Sequence, residues 1–198
     1  EKISGKKFDV FLKENLFDPL GMDDTGFYLD AKRANRLVKV QYLSPAGNWA
    51  HYPTSWYDPD FPVKGAKTYF SGGGGLSSTS YDYALFLQMY LNNGELNGKR
   101  ILSPNTIRTI MSNQIGNLWG DNPDSYHGLT FSIVTEKGVG KGGLGNTGTF
   151  SWGGYFNTQA FADPHDQVVA VLMKQMEQPV KEETAWKFRI LVSQAVVK

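Results

Sequence analysis

Residues 149–164 read TFSWGGYFNTQAFADP. Thr149, Phe150, Tyr155, Phe156, Thr158 and Phe161 are β-branched or aromatic, the types that suit a half-buried strand. Gly153 and Gly154 interrupt the run directly after Trp152. Glycine weakens a strand, so the pair marks a bulge that bends it or a place where something approaches the main chain closely. The run is bracketed by more β-type sequence, HGLTFSIVTE (127–136) before it and DQVVAVLMKQM (166–176) after it. Gly138 to Gly148 form a turn-rich connection, and Pro164-His165-Asp166 a short hairpin-like one. The chain ends in KEETAWKFRILVSQAVVK (181–198), an amphipathic helix expected to turn Trp186, Ile190, Leu191 and Val197 toward the core.

Before residue 127 the pattern is mostly helical. Ser4 is placed to cap a helix carrying Phe8, Phe11, Leu12 and Leu16, and Asp18-Pro19 to end it, because the residue before proline is pushed out of the α region. Thr79 or Ser80 caps a second helix with Tyr83, Leu87 and Tyr90, stopped at Asn93-Gly94. Asn97-Gly98 makes a tight turn, and Ser103-Pro104 opens a third helix through Ile107, Ile110 and Met111. Residues 42–70 hold four prolines and many rings without a clear period, and read as an ordered loop region, a candidate lid. Helices, then consecutive antiparallel strands, then a helix, give an α+β fold. Residues 1–126 form its mostly helical part with the aromatic loop, and 127–198 its strands and last helix, together one incomplete domain.

The 198 residues are 40% hydrophobic and 20% charged, with a net charge of +1. That balance leaves no basic stripe for nucleic acid, and no run of 18 or more apolar residues spans a membrane. Cysteine is absent, which removes disulfides, thiolate metal sites and a cysteine nucleophile. His51, His127 and His165 lack metal-ligand spacing, so neither a metal nor a cofactor is called for. The first residues show no secretory signal and no initiating methionine, and open in mid-element, which reads as a fragment or a processed chain.

Several short patterns invite chemistry and have simpler structural uses. SGGGG (71–75) lacks the Gly-Lys-Ser/Thr ending of a phosphate loop. TFSWG, with Ser151, lacks the strand-then-helix context of a nucleophile elbow. Ser4 to Lys7, Tyr90 to Asn92, Ser103 to Asn105 and Tyr155 to Asn157 match Ser-x-x-Lys, Tyr-x-Asn or Ser-x-Asn only formally, since each sits at a helix end or within the strand.

The longer phrases GKKFDVFLKENLFDPLGMDDTGFYL (5–29), GGGGLSSTSYDYALFLQMYLNNGELNGKRILSPNTIRTIM (72–111) and GTFSWGGYFNTQAFADP (148–164) together resemble the serine β-lactamase/penicillin-binding-protein superfamily. The match is to the branch of class C β-lactamases, D-alanyl-D-alanine carboxypeptidases and family VIII esterases. The resemblance implies a β-lactamase/transpeptidase-like antiparallel sheet flanked by helices, and a serine hydrolase working through an acyl-enzyme. In that family Ser-x-x-Lys and Tyr-x-Asn lie upstream of the KKFDVFLKENLF helix. The resemblance therefore implies an N-terminally truncated part without nucleophile, inactive alone.

Trp152-Gly153-Gly154 stands where class C enzymes carry Lys-Thr-Gly, a variant closer to the esterases. By the same resemblance the Tyr155 backbone N–H is an oxyanion-hole donor, Trp152, Gly153 and Gly154 line the substrate, and Trp56 and Tyr57 of the aromatic loop shape the cleft. Tryptophan in place of lysine favours neutral esters or amides over carboxylate-bearing substrates. The implied partner is a small-molecule or peptidoglycan-like substrate; a non-catalytic member binding peptidoglycan or carbohydrate is the alternative. Truncation leaves a sheet edge and an apolar face bare, so the chain is expected to self-associate or to stay associated with its missing N-terminal part. The resemblance favours a periplasmic or secreted protein, although esterase relatives also occur inside cells.

Overall fold

The computed structural model describes residues 1–53, 55, 57–141, 144–177 and 183–196. The first helix, α1 (Phe8–Leu12), runs through a turn of π-helix (Lys13–Phe17) into α2 (Asp18–Leu20), and the run ends at Gly21. Asp18-Pro19 thus does not end the helix. Pro19 sits at the start of a new helical turn, where a missing N–H costs no bond. The helix closes one turn later at left-handed Gly21 (φ +73°), where Met22 N–H donates back to Phe17 C=O at 2.9 Å. Ser4 is not the cap either: Lys7 holds that position, and the Ser4 hydroxyl accepts the Lys6 N–H instead.

A turn of helix, α3 (Ala31–Ala34), leads to the antiparallel hairpin β1 (Gln41–Leu43) and β2 (Trp49–His51), with Tyr42 opposite Ala50. With α4 (Phe61–Lys64), regular structure therefore punctuates the stretch read as a loop. The long helix α5 (Ser80–Leu91) starts as expected, with the Thr79 hydroxyl accepting the Asp82 N–H at 3.2 Å. A small hairpin of β3 (Glu95–Leu96) and β4 (Lys99–Arg100) turns at Asn97 and Gly98, whose φ of +50° and +72° suit a two-residue turn. Ser103 caps α6 (Pro104–Met111) by accepting the Thr106 N–H at 3.0 Å.

The remainder is one five-stranded antiparallel sheet in sequential order: β5 (Ser125–His127), β6 (Ser132–Val134), β7 (Phe150–Gly153), β8 (Gln159–Asp163) and β9 (Val168–Leu172). The run read as a single strand is a hairpin. β7 stops at Gly153, and Gly154 N–H bonds to Thr158 C=O while Asn157 N–H bonds to Gly154 C=O. Asn157, at φ +71°, supplies the left-handed residue that returns the chain.

Strand alternation then builds two layers onto the sheet. Ala160 and Ala162 point to α5, and their small side chains let Leu87 and Met89 pack fully buried against the strands. Each such burial contributes about 2 kcal/mol. Phe161 points the other way, to the last helix α7 (Thr184–Ala195), where Phe188 meets it 6.2 Å away and the Arg189 guanidinium lies 5.3 Å from its ring centre. Here the expected inward stripe is corrected. Trp186 and Leu191 are exposed because Phe188 and Arg189 occupy the sheet-facing side, and Val197 lies outside the described residues. Phe17, Leu20, Ile107, Ile133 and Phe150 complete a core shared by the helical part and the sheet.

Candidate active site

Three features leave main chain bare at the end of β7. β6 pairs with β7 only at Phe150 and Ser151, so Trp152, Gly153 and Gly154 have no strand on that side. The cause is the turn between β5 and β6, anchored in the core. Phe131, which would continue β6 opposite Trp152, is buried between Tyr90 (5.2 Å) and Phe150 (5.0 Å). The chain turns there, with Gly128 N–H donating to Phe131 C=O at 3.0 Å. Finally, β7 itself ends in the turn, where no group among the described residues accepts the Tyr155 N–H.

The glycine pair has a neighbour within the fold. A Cβ on Gly153 would stand 2.7 Å from Gln159 Nε2 and 3.0 Å from Thr158 C=O, and one on Gly154 would stand 2.5 Å from Thr158 Oγ1. The return strand is thus one approach that requires these positions bare. Ser151 is held mid-strand, paired with Ser132 and Phe161, which is no place for an elbow nucleophile.

An aromatic wall stands on one side of the turn. Met176 N–H donates to Phe156 C=O, and Gln41 exchanges main-chain bonds with Gln175 and Glu177, so the segment after β9 ties the first hairpin to the turn. Tyr52 and Tyr57 are thereby brought to Phe156, at 5.2 and 5.5 Å between ring centres. Hydrogen bonding with the Tyr155 phenol, then burial, pushes the Tyr52 phenol up to about 12. Burial, with Asp58 nearby, also raises Tyr57. Trp56 lies outside the described residues.

On the other side, Trp152 meets His127 of β5 at 5.6 Å and Trp119 at 6.1 Å. The structure therefore brings Trp152, Gly153, Gly154, Tyr155 and Tyr57 into one neighbourhood. It adds Tyr52, Phe156, Trp119 and His127, whose part in the neighbourhood the sequence reading missed. One signal for Trp119 existed: a lone indole in the polar stretch NQIGNLWGDNPD (113–124). Nothing in the spacing linked it to Trp152.

A carboxylate beneath the hairpin holds its base. Asp163 is buried, which alone would raise its pKa. Main-chain N–H groups of Asn146 and Asp166, the Thr149 hydroxyl and the Asn146 amide outweigh this and hold it below the usual carboxylate value.

The family model described as Beta-lactamase matches residues 1–194. Two curated proteins of Mycobacterium tuberculosis, uncharacterized protein MT1414 (strain CDC 1551 / Oshkosh) and protein Rv1367c (strain ATCC 25618 / H37Rv), are each 29% identical over 177 residues. These residues are 83% of this chain and 42% of each relative, so the chain spans less than half the length of the curated relatives it matches. Among solved structures, simvastatin synthase LovD (LovD6 mutant) from Aspergillus terreus superposes with a TM-score of 0.77 at 20% identity, over 98% of this chain and 52% of that one. EstCE1, a hydrolase with promiscuous acyltransferase activity, gives 0.75 at 20% identity, over 96% and 51%. A penicillin-binding protein from Bacillus halodurans gives 0.67 at 15% identity, over 98% and 51%. The five-stranded sheet clasped between α5 and α7 is the β-lactamase/transpeptidase fold, and by a match running almost from end to end the chain belongs to the beta-lactamase family.

Proposed function

We propose that these residues form the oxyanion side of an acyl-transfer site, the C-terminal part of a serine hydrolase acting on neutral esters or amides, with β-lactams as poor substrates. The observation that carries this is the Tyr155 N–H, left without an acceptor among the described residues at the open end of β7. A substrate carbonyl oxygen accepts from that N–H. As a serine hydroxyl supplied by a segment outside this sequence adds to the carbonyl carbon, negative charge grows on the oxygen. A preorganised main-chain donor there is worth about 3 kcal/mol in the transition state. Collapse of the tetrahedral species expels the alcohol or amine, which takes up a proton, and leaves an acyl-serine that water then hydrolyses.

In this scheme the 198 residues alone are inactive. The segment carrying the nucleophile also covers the outer edge of β9, which pairs only with β8 within the sheet. The proposal is tested on the full-length protein with a fluorophosphonate probe, p-nitrophenyl acetate and nitrocefin. Covalent labelling, and acetate cleavage faster than nitrocefin cleavage, are expected. Saturable ligand binding without labelling or turnover would overturn the hydrolase and leave a non-catalytic binder of the same fold.

A further inference from the structure

We infer that Trp119, His127 and Trp152 form an aromatic ledge that receives the apolar, preferentially aromatic, group of the substrate. This rests on the acyl-transfer reading in one respect, that the substrate carbonyl lies at the Tyr155 N–H. The three rings come from a loop, from β5 and from β7, and they meet because β6 stops short. His127 pairs with Ser132, and Ser132 pairs with Ser151, so the imidazole is carried across to the gap beside Trp152. It stands edge to face against both indoles, 4.7 Å from Trp119 and 5.6 Å from Trp152. The indoles are 6.1 Å apart and 33° from parallel.

Contacts of this kind fix ring orientation and add about 0.5–1.5 kcal/mol per pair beyond area burial. Yet Trp119 stays 66% exposed and Trp152 43% exposed. A pair of indoles held in place while so much of their surface meets water is suited to a ligand rather than to the core. Among the described residues the other exposed tryptophans, Trp49 and Trp186, have no ring partner. Only the pair beside the bare main chain is organised.

The ledge also has a defined place. Trp152 lies on the last strand residues before the turn, three positions ahead of Tyr155 on the same continuous segment. Among the described residues no hydrogen bond, ion pair or cation–π contact ties a charged side chain to the three rings, so the ledge suits an uncharged group. The indoles stand too close together to admit a cation between their faces, which sets the ledge apart from an ammonium cage.

The test compares the full-length protein with Trp119→Ala, Trp119→Phe and His127→Ala. Two kinds of readout are used: kcat/KM for p-nitrophenyl acetate, p-nitrophenyl phenylacetate and a trimethylammonium-acetyl ester, and calorimetric binding of the neutral ketone 4-phenyl-2-butanone, which cannot be hydrolysed. Trp119→Ala should lower kcat/KM for phenylacetate about tenfold more than for acetate, with Trp119→Phe restoring most of the selectivity. Ketone affinity should fall in parallel, and His127→Ala should give a smaller loss of the same sign. Equal losses on acetate and phenylacetate, or a trimethylammonium ester as dependent on Trp119 as the phenyl one, would overturn the ledge and leave the hydrolase intact. If no ester is cleaved, the ketone decides: Trp119-dependent binding keeps the ledge while the hydrolase falls, and ketone binding indifferent to Trp119 removes the ledge as well.

Discussion

Tyr52 and Phe156 meet edge to face, ring centres 5.2 Å apart and planes 79° from parallel, joining the first hairpin to the turn that carries the Tyr155 N–H. The turn carrying the Tyr155 N–H is thus positioned by residues over a hundred positions upstream, through an aromatic contact and the main-chain bonds of residues 175–177.

That junction titrates at high pH. The Tyr52 phenol is raised in the folded state from 10.0 to about 12, so its contribution to stability is complete below pH 10 and is lost as pH rises toward 12. Tyr52→Phe should unfold at a denaturant concentration that falls less between pH 9 and 12 than in the parent. Tyr83 and Tyr90, raised by burial, leave a residual slope in both proteins. Parallel curves would show that Tyr52 does not sense the fold.

Asp163 behaves in the opposite sense. Its folded-state pKa is lowered, so its stabilisation is present above the ordinary carboxylate value and disappears as pH falls below it. Asp163→Asn should cost about 1–3 kcal/mol at pH 7, because an amide keeps one acceptor oxygen and turns the other into an NH2 that faces N–H or hydroxyl donors. The gap between the urea midpoints of the two proteins should shrink as pH falls below the ordinary carboxylate range, and a constant gap would refute the assignment.

The glycine pair separates hairpin geometry from substrate access. Gly154→Ala places a methyl 2.5 Å from Thr158 Oγ1 and should destabilise by about 1–3 kcal/mol. Adding Thr158→Ala removes that oxygen and should restore most of the thermal midpoint. Ester cleavage by the full-length protein is expected to return with it, since the added methyl faces the return strand. A stable double variant that stays inactive would mean that the substrate itself needs the bare position.

The outer edge of β9 and the exposed Trp186 and Leu191 on α7 are expected to make the 198-residue chain associate. Light scattering should show association at micromolar concentration, reduced by Leu191→Lys, at an exposed position of α7, or by adding the upstream segment as a separate polypeptide. A monodisperse monomer unaffected by either would show that this edge needs no cover.

Legibility in the sequence followed how local each determinant is. Thr79 and Ser103 cap helices through their own side chains three residues on, so the caps were readable, as was the Asn97-Gly98 turn. The hairpin after β7 was not, because its turn YFNT is built of strand-type residues and only Asn157 betrays it. On α7 two apolar stripes compete, and the one carrying Phe188 reaches the sheet. Trp152, Gly153, Gly154 and Tyr155 drew notice through resemblance. His127 joins them through strand register and Trp119 through a loop contact, neither of which a single sequence displays.

The window onto β7 belongs to no residue that touches it. The β5–β6 turn closes at Phe131, which completes a trio of rings, and β6 leaves its neighbour two residues before β7 ends. How far the end of β7 lies open is therefore set by where the chain turns back, and by the rings that hold that turn in place. Substitutions at position 131 would resize the entrance without altering a single wall.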